Sequence, residues 1–120
     1  MKIRYLFIIL IIITVVIANG CDSASDSKAT SVAAPILVSP VDGDTTVSRT
    51  PAFSWTNNAD KLEIDENAAF SSPFSYNVSG TQFTFPAQLM ANTWYYWRAG
   101  ITSGTTTYWS ESIYHFRTVN

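Results

Sequence analysis

The sequence has one cysteine, one histidine and, at 13%, little charge for its 120 residues. With Cys21 alone, an intramolecular disulfide and a cysteine-built zinc site are both excluded. With His115 alone, a histidine-dependent nucleophile has one place to be activated, and no serine stands in the G-x-S-x-G turn that exposes such a nucleophile. His115 is expected to point to solvent from the last strand, with no carboxylate to orient it. No catalytic residue and no cofactor are therefore assigned, and the chain is read as non-enzymatic. Its charge is well short of the roughly 25% usual for soluble proteins, and what there is leans acidic. Without Lys2 and Arg4, which lie in the leader, 5 basic residues face 9 acidic ones, a net of −4. Such a surface does not attract phosphate backbones, which excludes nucleic acid as a partner. Helical periodicity is missing as well: from residue 35 onward no useful length of chain repeats its apolar residues at i, i+3, i+4 and i+7.

Apolar residues crowd the start of the chain instead. Lys2 and Arg4 flank the beginning of the run YLFIILIIITVVIA (residues 5–18), and Ala18-Asn19-Gly20 supplies small residues after it. These are the three parts of a secretory signal, expected over residues 1–20. At ~1.5 Å per residue the run reaches about 21 Å, short of the ~30 Å hydrocarbon core, which argues against a permanent span. The next residue sets the address. Ala18-Asn19-Gly20-Cys21 resembles the lipobox of bacterial lipoproteins, with Ala where that motif usually has Leu. The resemblance implies acylation of Cys21 by palmitate-type chains and a protein anchored to a membrane of the cell envelope, in either leaflet. Buried acyl chains contribute about 0.8 kcal/mol per methylene, so two or three of them anchor stably. After Cys21, residues 22–34 (DSASDSKATSVAA) lack the apolar content to fold. Residues 21–34 are read as the lipidated cysteine and a flexible tether with an r.m.s. span of about 20 Å.

Residues 35–120 read as the folded domain. Aromatic residues make up 14% of the sequence and Thr and Ser are common, a composition that suits pleated sheets. Residues 35–40 (PILVSP) read as an edge strand bracketed by prolines, and 41–50 as a polar connection. Residues 51–56 place Phe53 and Trp55 on one face, and 61–65 (KLEID) alternate with Leu62 and Ile64 inward. Residues 74–78 and 81–85 are expected to pair as a hairpin about Ser79-Gly80. A strand through 94–101 has Tyr95, Trp97, Ala99 and Ile101 on one face, and a second hairpin turns near Ser103-Gly104 before a last strand over 112–119. Short strands at this spacing predict an all-β, seven-stranded antiparallel sandwich.

The ordered segments PxLxSPxDG, PxFSW, xLEIDxxxxF, LxxxTWYYWRA, WS and FRT resemble a bacterial fibronectin type III domain, an immunoglobulin-like sandwich, over residues 35–119. The resemblance implies a structural core of Trp55, Leu89, Tyr95, Trp97 and Phe116. It makes Leu89 and Tyr95 a tyrosine corner, in which the hydroxyl bonds back to the backbone. Asp60 departs from the family pattern, which has Tyr there, and implies a thinner core at that point.

On the outer face the family topology sets Arg98 opposite Glu63 as a surface ion pair and gathers Trp94, Tyr96, Arg98, His115 and Arg117. Exposed aromatics and arginine are the residue types of interaction hot spots and sugar platforms. The expected partners are therefore the membrane, through the lipid, and another envelope protein, or alternatively a glycan. Asp42, Asp44, Asp65 and Glu66 fall in loops expected at one pole and carry the hard oxygens calcium prefers. Asp-Gly-Asp is ordinary turn chemistry, so no metal is assigned to this weak set. Asn77-Val78-Ser79 matches a glycosylation sequon, read as coincidental behind a bacterial leader.

Overall fold

The computed structural model describes Val32–Asn120. The expectations for the signal peptide, for Cys21 and for most of the tether lie outside the described residues. In chain order the strands are β1 (Ile36–Ser39), β2 (Asp44–Val47), β3 (Ala52–Thr56), β4 (Lys61–Asp65), β5 (Phe74–Asn77), β6 (Gln82–Thr84), β7 (Trp94–Ser103), β8 (Thr106–Trp109) and β9 (Tyr114–Thr118). Among the described residues the fold is all-β, a three-stranded sheet facing a six-stranded one in the manner of a sandwich.

The smaller sheet has the order β1-β3-β6. Alternation in β3 buries Phe53 and Trp55, with Leu37 of β1 opposite Trp55 and Phe83 of β6 opposite Phe53. The larger sheet runs β2-β9-β7-β4-β5, with β8 also on β7. Leu62 and Ile64 of β4, Tyr95, Trp97 and Ala99 of β7, and Phe116 of β9 all point into the core. Phe53 joins the two layers, meeting Trp97 edge-on at 4.9 Å and Phe116 at 5.9 Å. Such edge-on pairs contribute about 0.5–1.5 kcal/mol each beyond the area they bury. Thr118 is the polar residue most deeply set in this core, and its hydroxyl is satisfied: it donates to the Met90 carbonyl at 2.6 Å and accepts from the Thr93 amide at 3.0 Å.

Three expectations need correction. Residues 41–50 are more than a connection, because β2 lies within them and pairs with β9 in parallel. At the sheet's edge a Thr-rich strand needs no apolar alternation, so its sequence gives no sign of it. Residues 74–78 and 81–85 do not form a hairpin. β5 pairs with β4 and β6 with β3, so the chain crosses between the sheets at 78–81. Tyr76 and Phe83 then meet across the interior at 5.0 Å instead of side by side. The strands among the described residues number nine instead of seven, because β2 is one of them and the chain after the expected turn at Ser103-Gly104 forms two: β8 on residues 100–103 of β7, and β9, inside the expected last strand, on 94–97. At Asp60, where the resemblance implies a thinner core, the carboxylate accepts from the Thr102 amide at 3.1 Å and from its hydroxyl at 3.2 Å.

Candidate interaction surface

The outer face of the larger sheet is built by cross-strand register. Trp94 pairs with Arg117 and Tyr96 with His115, so the side chains that alternate away from Tyr95 and Phe116 share one surface. They do not stand apart on it. The His115 imidazole stacks between Trp94, at 5.0 Å, and Tyr96, at 5.7 Å, with ring planes only 32° and 21° apart. The Arg117 guanidinium lies 5.9 Å from the Trp94 ring centre.

His115 is oriented after all, contrary to the expectation from sequence. Asp42 accepts from its backbone amide at 2.9 Å and meets its Nδ1 at 2.6 Å, while the Gly43 amide donates to the His115 carbonyl at 2.7 Å. The backbone amide of His115, helped by its ring, holds the Asp42 carboxyl below the usual carboxylate range. The ring and the carboxylate remain 38% and 52% exposed. This is a clasp fixing the β1–β2 loop to β9, and the enclosure that general acid–base chemistry needs is missing from it.

Arg98 separates from the other four residues. Its Nε and Nη2 donate to Glu63 Oε1 at 3.0 and 2.7 Å, the ion pair expected from register. Its guanidinium is also enclosed, with the Phe70 ring 4.4 Å away and the Trp109 ring 4.0 Å away. An arginine held by a carboxylate and two rings is a structural element of the face. Sequence reasoning missed both rings, although each left a trace. Phe70 ends the xLEIDxxxxF segment, and Gly100 interrupts β7 where Trp109 crosses it. A Cβ on Gly100 would lie 2.8 Å from Trp109 Cε3, so the glycine is what lets the indole lie against the sheet. Phe70 holds a left-handed backbone, φ 53°, which a bulky residue adopts only when its surroundings compel it. Two local bonds close that loop, as Asp65 accepts from the amides of Asn67 and Ser72 at 3.2 and 3.0 Å.

Asp42, Asp44, Asp65 and Glu66 are not gathered into one site. Asp42 is engaged with His115, and Asp44 turns to the hydroxyl and amide of Thr46, which hold its carboxyl below the usual range. Asp65 lies on β4, with β7 and β9 between it and β2. At ~4.8 Å per strand that separation exceeds ~14 Å, too far for a shared ion. Among the described residues no group of three or more His, Cys, Asp or Glu side chains is placed to hold a metal.

The tyrosine hydroxyl does bond back to the backbone: Tyr95 Oη accepts from the Met90 amide at 3.0 Å. Burial pushes the Tyr95 phenol up, with the Met90 bond opposing. No protein-family model, curated protein or solved structure matches the chain.

Proposed function

We propose that the chain is a non-catalytic cell-envelope lipoprotein, presenting a fibronectin type III-like domain on a lipidated tether for interaction with another protein. Support for the address comes from residues 1–20 and the lipobox-like Ala18-Asn19-Gly20-Cys21. Support for the domain type comes from the Tyr95–Met90 bond, from buried Trp55 and Phe116, and from β8 and β9 succeeding each other beside β7.

The observation that carries the choice of partner is the Trp94–His115–Tyr96 stack. A sugar platform needs an aromatic face open to the sugar ring, and here the rings lie against one another. What remains presented is a ridge, with Trp94 still 40% exposed beside Arg117, the kind of anchor that fits a pocket on a protein partner. Carbohydrate binding is the second reading, favoured by the exposed ring of Tyr108 on the last hairpin.

Two measurements test this. Cys21→Ser should move the protein out of the membrane fraction, and unchanged fractionation refutes the anchor. The double substitution Trp94→Ala and Tyr96→Ala should abolish co-purification of an envelope protein from detergent extracts. If instead the parent's tryptophan fluorescence responds to soluble glycans and the variant's does not, the module binds sugar.

A further inference from the structure

The two long sides of the sandwich differ. Between β5 and β6, Phe74, Tyr76, Phe83 and Phe85 close the sheets together through ring contacts of 5.0–5.7 Å. On the other side, among the described residues, a groove of about 360 Å³ lies between residues 33–37 and 110–114, with Pro35, Leu37, Glu111 and Tyr114 in its lining.

The hydrogen-bond pattern of the smaller sheet aims β1's backbone into this groove. The Trp55 amide donates to the Thr81 carbonyl at 3.1 Å, on the β6 side. A residue in an antiparallel ladder sends its amide and carbonyl the same way, so Trp55 offers nothing to β1. Leu37, directly opposite Trp55, must therefore direct its own amide and carbonyl away from β3, toward the groove it lines. Leu37 packs its side chain into the core, which leaves an amide and a carbonyl turned to the groove, available to a backbone that enters it. Beside them Ile36 and Val38 stand 61% and 46% exposed. Natural edge strands are usually blunted by charge or proline. β1 carries no charge, and Pro35, Pro40 and the register shift between Leu37 and Ser39 confine the edge that is unpaired among the described residues to a few positions. Glu111 is exposed, and the ion pairs among the described residues are Arg98–Glu63 and His115–Asp42, so its charge is unpaired there.

We propose that this groove docks an extended segment of a partner protein, which adds to the free edge of β1 with an apolar side chain against Leu37 and Tyr114 and a lysine or arginine beside Glu111. An extended backbone is the occupant that meets an amide and a carbonyl together, and Glu111 selects a basic one. The groove holds the volume of roughly a dozen waters, enough for two or three residues of peptide. The proposal rests on the protein-interaction reading but uses a surface separate from the Trp94 ridge, so the two can fail independently.

The test is selection of a phage-displayed library of random decapeptides on the full chain in detergent micelles. Enriched peptides should alternate apolar residues and carry Lys or Arg. Synthetic versions should bind Glu111→Lys at least about tenfold more weakly at low salt, bind Trp94→Ala as they bind the parent, and slow hydrogen exchange at the Leu37 amide. An unchanged thermal midpoint certifies that Glu111→Lys is folded. Three results overturn the proposal. One is no enrichment over empty micelles. Another is peptides that lose Trp94→Ala and keep Glu111→Lys, which would leave the ridge as the interaction site. The last is a peptide-independent dimer with Leu37 protected, which would mean that a second copy fills the groove.

Discussion

Replacing Gly100 with alanine tests how the outer face of the larger sheet is packed. The new Cβ would lie 2.8 Å from Trp109 Cε3, 3.1 Å from its Cδ2 and 2.9 Å from Thr107 Cγ2. Gly100 does not use a left-handed backbone, so stiffening the unfolded chain favours alanine by about 0.4–1 kcal/mol. Overpacking opposes this by about 1–3 kcal/mol. Displacing the indole also weakens its contact with Arg98, at 4.0 Å now, by about 0.5–2 kcal/mol. The clash wins, and Gly100→Ala should destabilise by about 1–3 kcal/mol, lowering the thermal midpoint by roughly 5–15 °C. The decisive assay is a double-mutant cycle with Trp109→Ala. Once the ring is gone, Thr107 Cγ2 is the one of the three nearest atoms that remains. Gly100→Ala should then be neutral, or stabilising by up to about 1 kcal/mol. An equal penalty in both backgrounds would refute the packing of Trp109 over Gly100.

Tyr95→Phe keeps the buried ring and leaves the Met90 amide unpaired, so it should cost about 1–2 kcal/mol, read as a lower urea midpoint at unchanged slope; an unchanged midpoint would deny the hydroxyl its role. Arg98→Lys retains the charge facing Glu63 but loses the flat cation between Phe70 and Trp109. A loss of about 1–2 kcal/mol is expected, and full retention of stability would mean the rings contribute nothing. Asp42→Asn should destabilise by less than about 1 kcal/mol at pH 7, since the pair is half-exposed and screened. The folded Asp42 carboxyl is held low, so its contribution is present above the unfolded value of about 3.9 and fades as pH falls through the folded one. Melting curves of parent and variant should therefore draw together as pH falls below the unfolded value, and a gap that stays constant with acidity would sink the argument.

What could be read from the sequence follows what a strand's period encodes. Alternation in 61–65 and 94–101 told inward from outward, which placed Leu62, Ile64, Tyr95 and Trp97 in the core and Glu63 and Arg98 outside it, while their pairing came from the resemblance. The period tells a face and is silent about a neighbour. Residues 74–77 and 82–84 thus looked like one hairpin while belonging to separate sheets. β2 escaped notice because a polar strand on a sheet edge has no apolar face to repeat. The Asp42–His115 clasp joins residues 73 apart, across a parallel pairing that local pattern cannot anticipate. Of the five residues expected on the outer face, four form the stacked row, and Arg98 is taken up by Glu63 and by two rings that sequence reasoning left out.

The attachment of β1 and β2 to different sheets has a mechanical consequence. Val32 leads directly into β1, whose ladder to β3 lies across the strand direction. Tension drawn along β1 therefore loads that ladder in shear, all its bonds together, instead of peeling them singly. Were β1 to yield, the slack would run out at the Asp42–His115 clasp and the β2–β9 pair, a second brake in series on the opposite layer. A pull at this end thus meets two barriers before it reaches the contact of Phe53 with Trp97. Single-molecule extension should show two rupture steps, with the second weakened selectively by Asp42→Ala; a single step insensitive to that substitution would show that the clasp carries no load.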